Sequence, residues 1–484
     1  MPRLEFIDET LRDAHQSLWA TRMTTEMMVP IARTIDEAGY FIVNLAGGAV
    51  FDTCIKYLGE DPWERLRIMR QLIQKTPLMF ITRGQNVWSW QVYADDVVAL
   101  TVRTVARNGI RALMIFDSLN DTRNLALTIR VGKEEGLYVI GCVVYTLSPV
   151  HTDEYFVRKA RELVQLGADA VMLKDPSGLL VPERIRTLIP AMREAMGGVP
   201  LVLHSHCMTG LAPMCYLEAI QLGVNMVHTA ISPLSQGESL PATEYVAKHA
   251  RRMGVDVRLD DNRLKEIADY FTGVAQREGK PLGRMVEYDP FHYEHQIPGG
   301  MISNLRSQLA EVGFQNRLPE VLEEIARVRE ELGYPIMVSP LSQYVGVQAL
   351  LNVMEGERYR TVVDEIRKYA LGYYGELAAP IEPNILDRII GNEQPITVRP
   401  GELIEPMLEK IKAEQGPFSS DEELLLNIFY TRPTLEKFYA SRRSGAAGLS
   451  ARTPLAVLIK ELAKRPQVKY VYIQKGNFRL VQAS

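Results

Sequence analysis

The chain has 484 residues, 46% of them apolar, and its 55 Lys and Arg stand against 59 Asp and Glu for a formal charge of −4. That length allows two or three domains around a sizeable core, and the balanced charge argues against nucleic acid or a membrane surface as partner. Four scattered cysteines, Cys54, Cys142, Cys207 and Cys215, have no CxxC spacing, which argues against a disulfide scaffold or a zinc ribbon and fits the reducing cytoplasm.

From the start to about residue 235, short β-rich apolar runs alternate with amphipathic helical patterns, and eight runs can be counted: residues 4–11, 41–46, 77–84, 112–119, 138–146, 170–176, 200–206 and 226–231. Such alternation means parallel strands with crossover helices, and eight of them predict a closed (β/α)8 TIM barrel over residues 1–260. No Gly-rich phosphate loop follows the first run, which weakens a dinucleotide-binding reading. The pattern then turns helical, at 262–278, 318–332, 343–355, 361–374 and 403–415, and predicts a mostly helical domain over 261–414. Residues 415–424 read as a solvated linker, and 425–484 as a small α+β appendage with a helix at 454–464 and a hairpin turning at 475–477. No apolar run reaches the roughly 20 residues of a spanning helix, so a soluble cytoplasmic protein is expected.

In a barrel of this kind the polar residues at the C-terminal strand ends carry the chemistry. The first run ends in Leu11-Arg12-Asp13-Ala14-His15-Gln16, the sixth in Lys174-Asp175-Pro176 and the seventh in His204-Ser205-His206. Alternation along a strand turns His204 and His206 to one side, as two imidazoles sharing a metal require. Asp13 adds a carboxylate, a donor set suited to a divalent Zn, Co or Mn ion. Lys174 leaves three readings open: a desolvated Schiff-base nucleophile, an anionic ligand after carbamylation, or a lysine paired with Asp175.

Over nearly the first 375 residues the sequence resembles the biotin-dependent carboxyltransferases, which include the carboxyltransferase domain of pyruvate carboxylase, the oxaloacetate decarboxylase alpha subunit and the transcarboxylase 5S subunit. The carriers are Asp8-Glu9-Thr10-Leu11-Arg12-Asp13-Ala14-His15-Gln16-Ser17, Gly47-Gly48-Ala49 with Phe51-Asp52, Arg83-Gly84-Gln85-Asn86, Phe116-Asp117-Ser118-Leu119-Asn120, Leu173-Lys174-Asp175, the HxH pair, and Ile297-Pro298-Gly299-Gly300 with Ser303-Asn304-Leu305. The resemblance implies a metal held by Asp13, His204, His206 and carbamylated Lys174. It implies substrate binding by Arg12, Gln16 and Arg83, and a proton relay between biotin and pyruvate at Ser339, where the family has threonine. The activity implied is carboxyl transfer between biotin on a separate carrier and a 2-oxo acid such as pyruvate, through a metal-stabilised enolate.

Several positions depart from the family pattern. Asn44-Leu45-Ala46 stand where an acidic residue and an aromatic often precede the glycines, Pro176-Ser177 follow Asp175, Cys207 follows the HxH pair, and Gln85 replaces alanine. These changes ring the site and bear on the choice of 2-oxo acid. The chain shows no Met-Lys-Met biotin-attachment motif and no biotin carboxylase. A biotin carboxyl carrier protein and a biotin carboxylase or second carboxyltransferase subunit are therefore expected as partners, with a homodimer expected from the family. The alternatives weighed are a metal-dependent lyase or Claisen-type synthase of the isopropylmalate synthase or hydroxymethylglutaryl lyase kind, which uses an acyl-CoA, and a silent scaffold that docks the carrier. Lys174 and the IPGG segment speak against the first, and retention of every metal ligand against the second.

Overall fold

The computed structural model describes residues 3–89, 91–298, 309, 315–443, 470–475 and 478–483. Eight parallel strands, β1 (Glu5–Asp8), β2 (Ile42–Gly47), β3 (Leu78–Arg83), β4 (Ala112–Phe116), β5 (Tyr138–Val144), β6 (Ala170–Asp175), β7 (Leu201–Ser205) and β8 (Met226–Thr229), close into a barrel as β8 pairs with β1. Parallel strands with helical crossovers have both faces covered, so each reads as a continuous apolar run. One parity faces the barrel axis: Ile42, Met79 and Ile81, Met114 and Phe116, Ile140, Cys142 and Val144, Met172, Val202 and Met226 form one buried cluster. The other parity, including Leu113, Ile115, Val139, Val143, Val171, Leu173, Leu201 and Leu203, packs outward against the helices.

The predicted first run is longer than its strand. Asp8 Oδ1 accepts from the Thr10 amide at 3.2 Å and the Thr10 hydroxyl at 2.6 Å, a local turn that competes with the ladder and ends β1. A wide π-helical turn, Thr10–Ala14, follows, and a short helix, His15–Leu18, carries Gln16. Arg12 and Asp13 therefore sit on a helical turn above β1 rather than on its end.

The helical portion has its own core, in which Val321, Ile325, Val328, Tyr344, Val345, Ile366, Tyr369 and Ile389 pack with Leu119 from the loop after β4. Helix Leu318–Glu331 lies against helix Leu341–Glu355, close to the predicted spans. The helices expected over 361–374 and 403–415 shorten to Asp364–Ala370 and Leu408–Gln415. Gly372, at φ 84°, stops the first, and a 3₁₀ turn, Pro400–Leu403, precedes the second. Ile336 and Val338 leave this portion and join the cluster inside the barrel, so the segment just ahead of Ser339 plugs the barrel mouth.

Two stretches pack with the barrel instead of standing apart. Helix Asp261–Glu278 buries Leu264, Ile267, Phe271 and Val274 in the barrel's outer core. The stretch read as a linker contains a helix start: the Ser420 side chain accepts from the Glu423 amide, and the Glu423 carboxylate accepts from the Ser419 amide at 2.7 Å. That reciprocal pair opens helix Asp421–Phe429, whose Leu425 and Leu426 enter the same outer core with Leu435 and Phe438 of helix Arg432–Arg443. Strands β9 (Tyr470–Lys475) and β10 (Phe478–Ala483) form an antiparallel hairpin. The expected helix at 454–464 and the turn residues Gly476 and Asn477 lie outside the described residues.

Leu425 is fully buried, so Leu425→Ala should lower stability by about 2–5 kcal/mol in urea unfolding followed by far-UV circular dichroism. A loss below about 0.5 kcal/mol would mean that this helix is a detachable appendage.

Candidate active site

The parity that fills the barrel also sets its mouth. Counting by two from the interior residues of each strand leads from Ile42 to Asn44, from Ile81 to Arg83, from Met172 to Lys174, from Val202 to His204 and from Met226 to His228. Lys174 and His204 are register partners on adjacent strands, and Lys174 Nζ lies 3.1 Å from His204 Nε2. The turn after β1 leans over this ring.

Asp13 is its centre. The carboxylate is 3.4 Å from His206 Nε2 and 3.8 Å from His204 Nε2, accepts from the Ser17 hydroxyl at 3.0 Å and meets Arg12 Nη2 at 2.7 Å. Burial pushes its pKa up, but Arg12 and His206 outweigh that and hold it well below the usual carboxylate range. The donor atoms of Asp13, His204 and His206 all lie within 4.8 Å of one another. His206 Nδ1 is 2.6 Å from the Glu238 carbonyl, to which it must donate, and a neutral ring so held turns the Nε2 lone pair toward Asp13. Two acceptors meeting without a proton call for a cation between them, and two imidazoles with a carboxylate suit a divalent transition ion.

Beneath this set lies a fully buried support. Glu9 Oε1 is 2.6 Å from His228 Nδ1, which is 3.1 Å from His204 Nδ1. Glu9 also accepts from Asn44 Nδ2 at 2.9 Å and meets Arg12 Nε at 3.2 Å. The contacts of Arg12 are charge pairs rather than aligned hydrogen bonds. Burial alone would raise the Glu9 pKa, but Arg12 and His228 hold it down. For Lys174, burial lowers the pKa against the pull of Asp13, which favours the uncharged amine.

Arg12, Asp13, Gln16, Arg83, Lys174, His206 and Ser339 line one cavity of about 650 Å³, and His204 lies beneath it, fully buried. All eight expected site residues thus converge. Arg12 reaches the cavity wall with its guanidinium committed to Glu9 and Asp13, whereas that of Arg83 makes no hydrogen bond or ion pair with a described residue. Ser339, at the exposed rim, accepts from Gln343 Nε2 at 3.0 Å, which leaves its own proton free to donate. The cavity also takes in Phe116 of the resemblance segment at the end of β4, and Trp88, Glu238, Ser342 and Gln343, which the sequence reading does not single out. It misses His228 as well, although parity with Met226 marks it. Gly299-Gly300 and Ser303-Asn304-Leu305 lie outside the described residues.

Comparison with known proteins agrees with this arrangement. Residues 293–482 match the family model described as a conserved carboxylase domain. The chain is 44% identical to a pyruvate carboxylase subunit of Methanocaldococcus jannaschii, over 88% of this chain and 76% of that one. It is 40% identical to the methylmalonyl-CoA carboxyltransferase 5S subunit of Propionibacterium freudenreichii over 90% and 87%, and 36% identical to the 2-oxoglutarate carboxylase large subunit of Hydrogenobacter thermophilus over 90% and 68%. The carboxyl transferase domain of Rhizobium etli pyruvate carboxylase, solved with oxamate and biotin, superposes at a TM-score of 0.86 with 29% identity, covering 92% of this chain and 79% of that one. With the barrel, its converging mouth and these relatives in agreement, the chain belongs to the biotin-dependent carboxyltransferase family and is an enzyme that transfers a carboxyl group between biotin and a 2-oxo acid.

Proposed function

We propose that the 2-oxo acid is pyruvate, exchanged with oxaloacetate, and that the biotin arrives on a separate carrier chain of a multisubunit complex. The observation that carries this reading is the guanidinium of Arg83, which makes no hydrogen bond or ion pair with a described residue and lines the same cavity as Asp13 and His206 of the donor set. A planar fork without a partner among the described residues suits a substrate carboxylate. The archaeal pyruvate carboxylase and transcarboxylase relatives are each named as one subunit of a larger enzyme, which supports a separate carrier and a further subunit. No helix among the described residues is long and apolar enough to cross a membrane, and all four cysteines are free and buried, which fits a cytoplasmic setting. In this reading the chain works as a homodimer.

Asp13, His204 and His206 would hold a divalent ion, Zn, Co or Mn, with Lys174 as fourth ligand. In its uncharged form, which burial favours, the Lys174 amine can add to carbon dioxide and lose a proton, giving a carbamate whose oxygen is anionic. When bound, the ion supplies Lewis-acid charge beside the keto group. Arg83 fixes the substrate carboxylate, and Gln16 reaches the keto oxygen from the turn after β1. As charge grows on that oxygen with loss of the methyl proton, the fixed positive charge of Arg83 stabilises it inside a largely desolvated cavity. The Ser339 hydroxyl, oriented by Gln343, carries the proton between the methyl carbon and the biotin ureido nitrogen. In this reading the helical portion completes the active site by placing Ser339 over the barrel.

The deciding test incubates the purified chain with oxaloacetate and free biotin and couples pyruvate release to an indicator reaction. Release that requires biotin and disappears on chelation is expected; biotin-independent release would reject biotin as the carboxyl acceptor, and none from a metal-loaded chain would reject pyruvate as substrate. Lys174→Ala should strip the metal and abolish transfer, while Ser339→Ala should keep full metal content by plasma emission and lose at least a hundredfold in biotin-dependent rate. Full metal content in Lys174→Ala would sink the carbamate assignment. Glu9→Gln should weaken metal binding about 10–100-fold in competitive chelation, because the ring of His204 loses its support, and unchanged affinity would reject that role.

A further inference from the structure

The charged groups of the cavity pair off unevenly. Six titratable residues line it: Arg12, Asp13, Arg83, Lys174, His206 and Glu238. Arg12 is held between Glu9 and Asp13, Asp13 faces Arg12 and His206, and Lys174 rests on His204. Two remain: among the described residues, the guanidinium of Arg83 and the carboxylate of Glu238 have neither a hydrogen bond nor an ion pair. They stand on different sides of the mouth, Arg83 at the end of β3 and Glu238 in the loop after β8, with β1 and β2 between them in the closed order.

Glu238 is rigidly placed. Gln236 and Gly237 both take left-handed backbone, at φ 69° and 60°, and the loop folds back so that the Gln236 amide donates to the Leu240 carbonyl at 2.8 Å. Its own carbonyl accepts from His206 Nδ1 at 2.6 Å, and the next carbonyl, of Ser239, accepts from the Cys207 amide at 2.8 Å. A half-buried carboxylate on such a loop cannot swing away at low cost, and without a partner it repels any second negative charge brought to that wall.

We infer that Glu238 is a specificity-determining residue, which restricts the cavity to 2-oxo acids that carry no carboxylate beyond the first one and the transferred one, and rejects those with a carboxylate two carbons beyond the reacting carbon. This rests on the 2-oxo acid reading above and adds which members of that class are taken. Among the described residues the cavity offers one uncommitted cation side chain, Arg83, which the first carboxylate occupies. The transferred carboxyl is delivered and removed at the carbon beside the keto group. A five-carbon 2-oxo dicarboxylate instead hangs its second carboxylate two carbons beyond the reacting carbon, where the described wall supplies Glu238 and no second uncommitted cation side chain.

The test is calorimetric binding of pyruvate and of 2-oxoglutarate to the metal-loaded full chain, in the wild type, Glu238→Gln and Glu238→Ala. Both variants keep the backbone carbonyl that holds His206. The wild type should prefer pyruvate, and the ratio of the two dissociation constants should fall about tenfold in Glu238→Gln, about 1.4 kcal/mol of discrimination. High salt should narrow the wild-type ratio in the same direction. A ratio unchanged in both variants, in a chain that still binds pyruvate, or a wild type that prefers 2-oxoglutarate, overturns the inference alone. A wild type that binds neither acid and releases no pyruvate from oxaloacetate with biotin overturns the 2-oxo acid reading and this inference together.

Discussion

The site depends on a desolvated carboxylate, that of Asp13, held ionised in a place where burial alone would protonate it. Stripping water from a charge is costly by several kcal/mol unless every remaining lone pair is met. Here the compensation is spread: Arg12 on one side, Ser17 on another, two imidazole edges on a third, with Glu9 behind Arg12 to balance its charge. Each partner comes from a different part of the chain. A closed barrel answers this demand well, because it points one side chain from each strand at the axis and brings residues about 200 positions apart in sequence within one hydrogen bond of each other. The network is rigid for the same reason that it is costly, since a half-satisfied member in so dry a place would destabilise all the others.

The second constraint is the join between barrel and helical portion. Ile336 and Val338 complete the packing inside the barrel, so the rim residue Ser339 is anchored by apolar contacts below it. Buried Arg329 donates to the Thr146 hydroxyl at 3.0 Å and the Leu147 carbonyl at 2.7 Å, and Gln296 Oε1 accepts from the same hydroxyl at 2.8 Å. The Ser177 hydroxyl donates to the Gln296 carbonyl at 3.0 Å, which ties the loop after β6 to the same segment. The strand ends that carry Lys174 and the rim that carries Ser339 are thus parts of one hydrogen-bonded surface, and neither moves independently of the other.

How much of this is legible in the sequence follows from what each signal measures. Strand count survives as long as apolar runs alternate with amphipathic ones, so all eight strands can be read. Strand ends depend on local side-chain competition, and the Asp8–Thr10 turn stops β1 short of the expected residue 11. Residues 419–423 look solvated by composition, yet Ser420 and Glu423 stand at capping spacing and start a helix. Asp13, Lys174, His204 and His206 are visible because their chemistry is conspicuous. His228 is not, because a single histidine in a strand is ordinary until its parity and neighbours are known, and Glu238 is not because its meaning lies in having no partner among the described residues.

The positions that depart from the family pattern tell more in the structure than in the sequence. Asn44, where relatives often carry an acid, donates its amide to Glu9; an acid there would face another carboxylate in a desolvated pocket. Gln85 accepts from Arg399 at 2.7 Å while donating to Asp95 at 2.8 Å, so it fastens the 399–408 stretch to the loop that follows Arg83. Ser177 binds Gln296, and Cys207 hangs its amide on the loop of Glu238. Each of these four departures is absorbed by a neighbour that holds a site-bearing loop, and none removes a donor from the metal set. Substitutions of that kind change which loop positions a wall is built from while leaving the reacting floor intact. For this reason the substrate is expected to vary more readily in this fold than the reaction does.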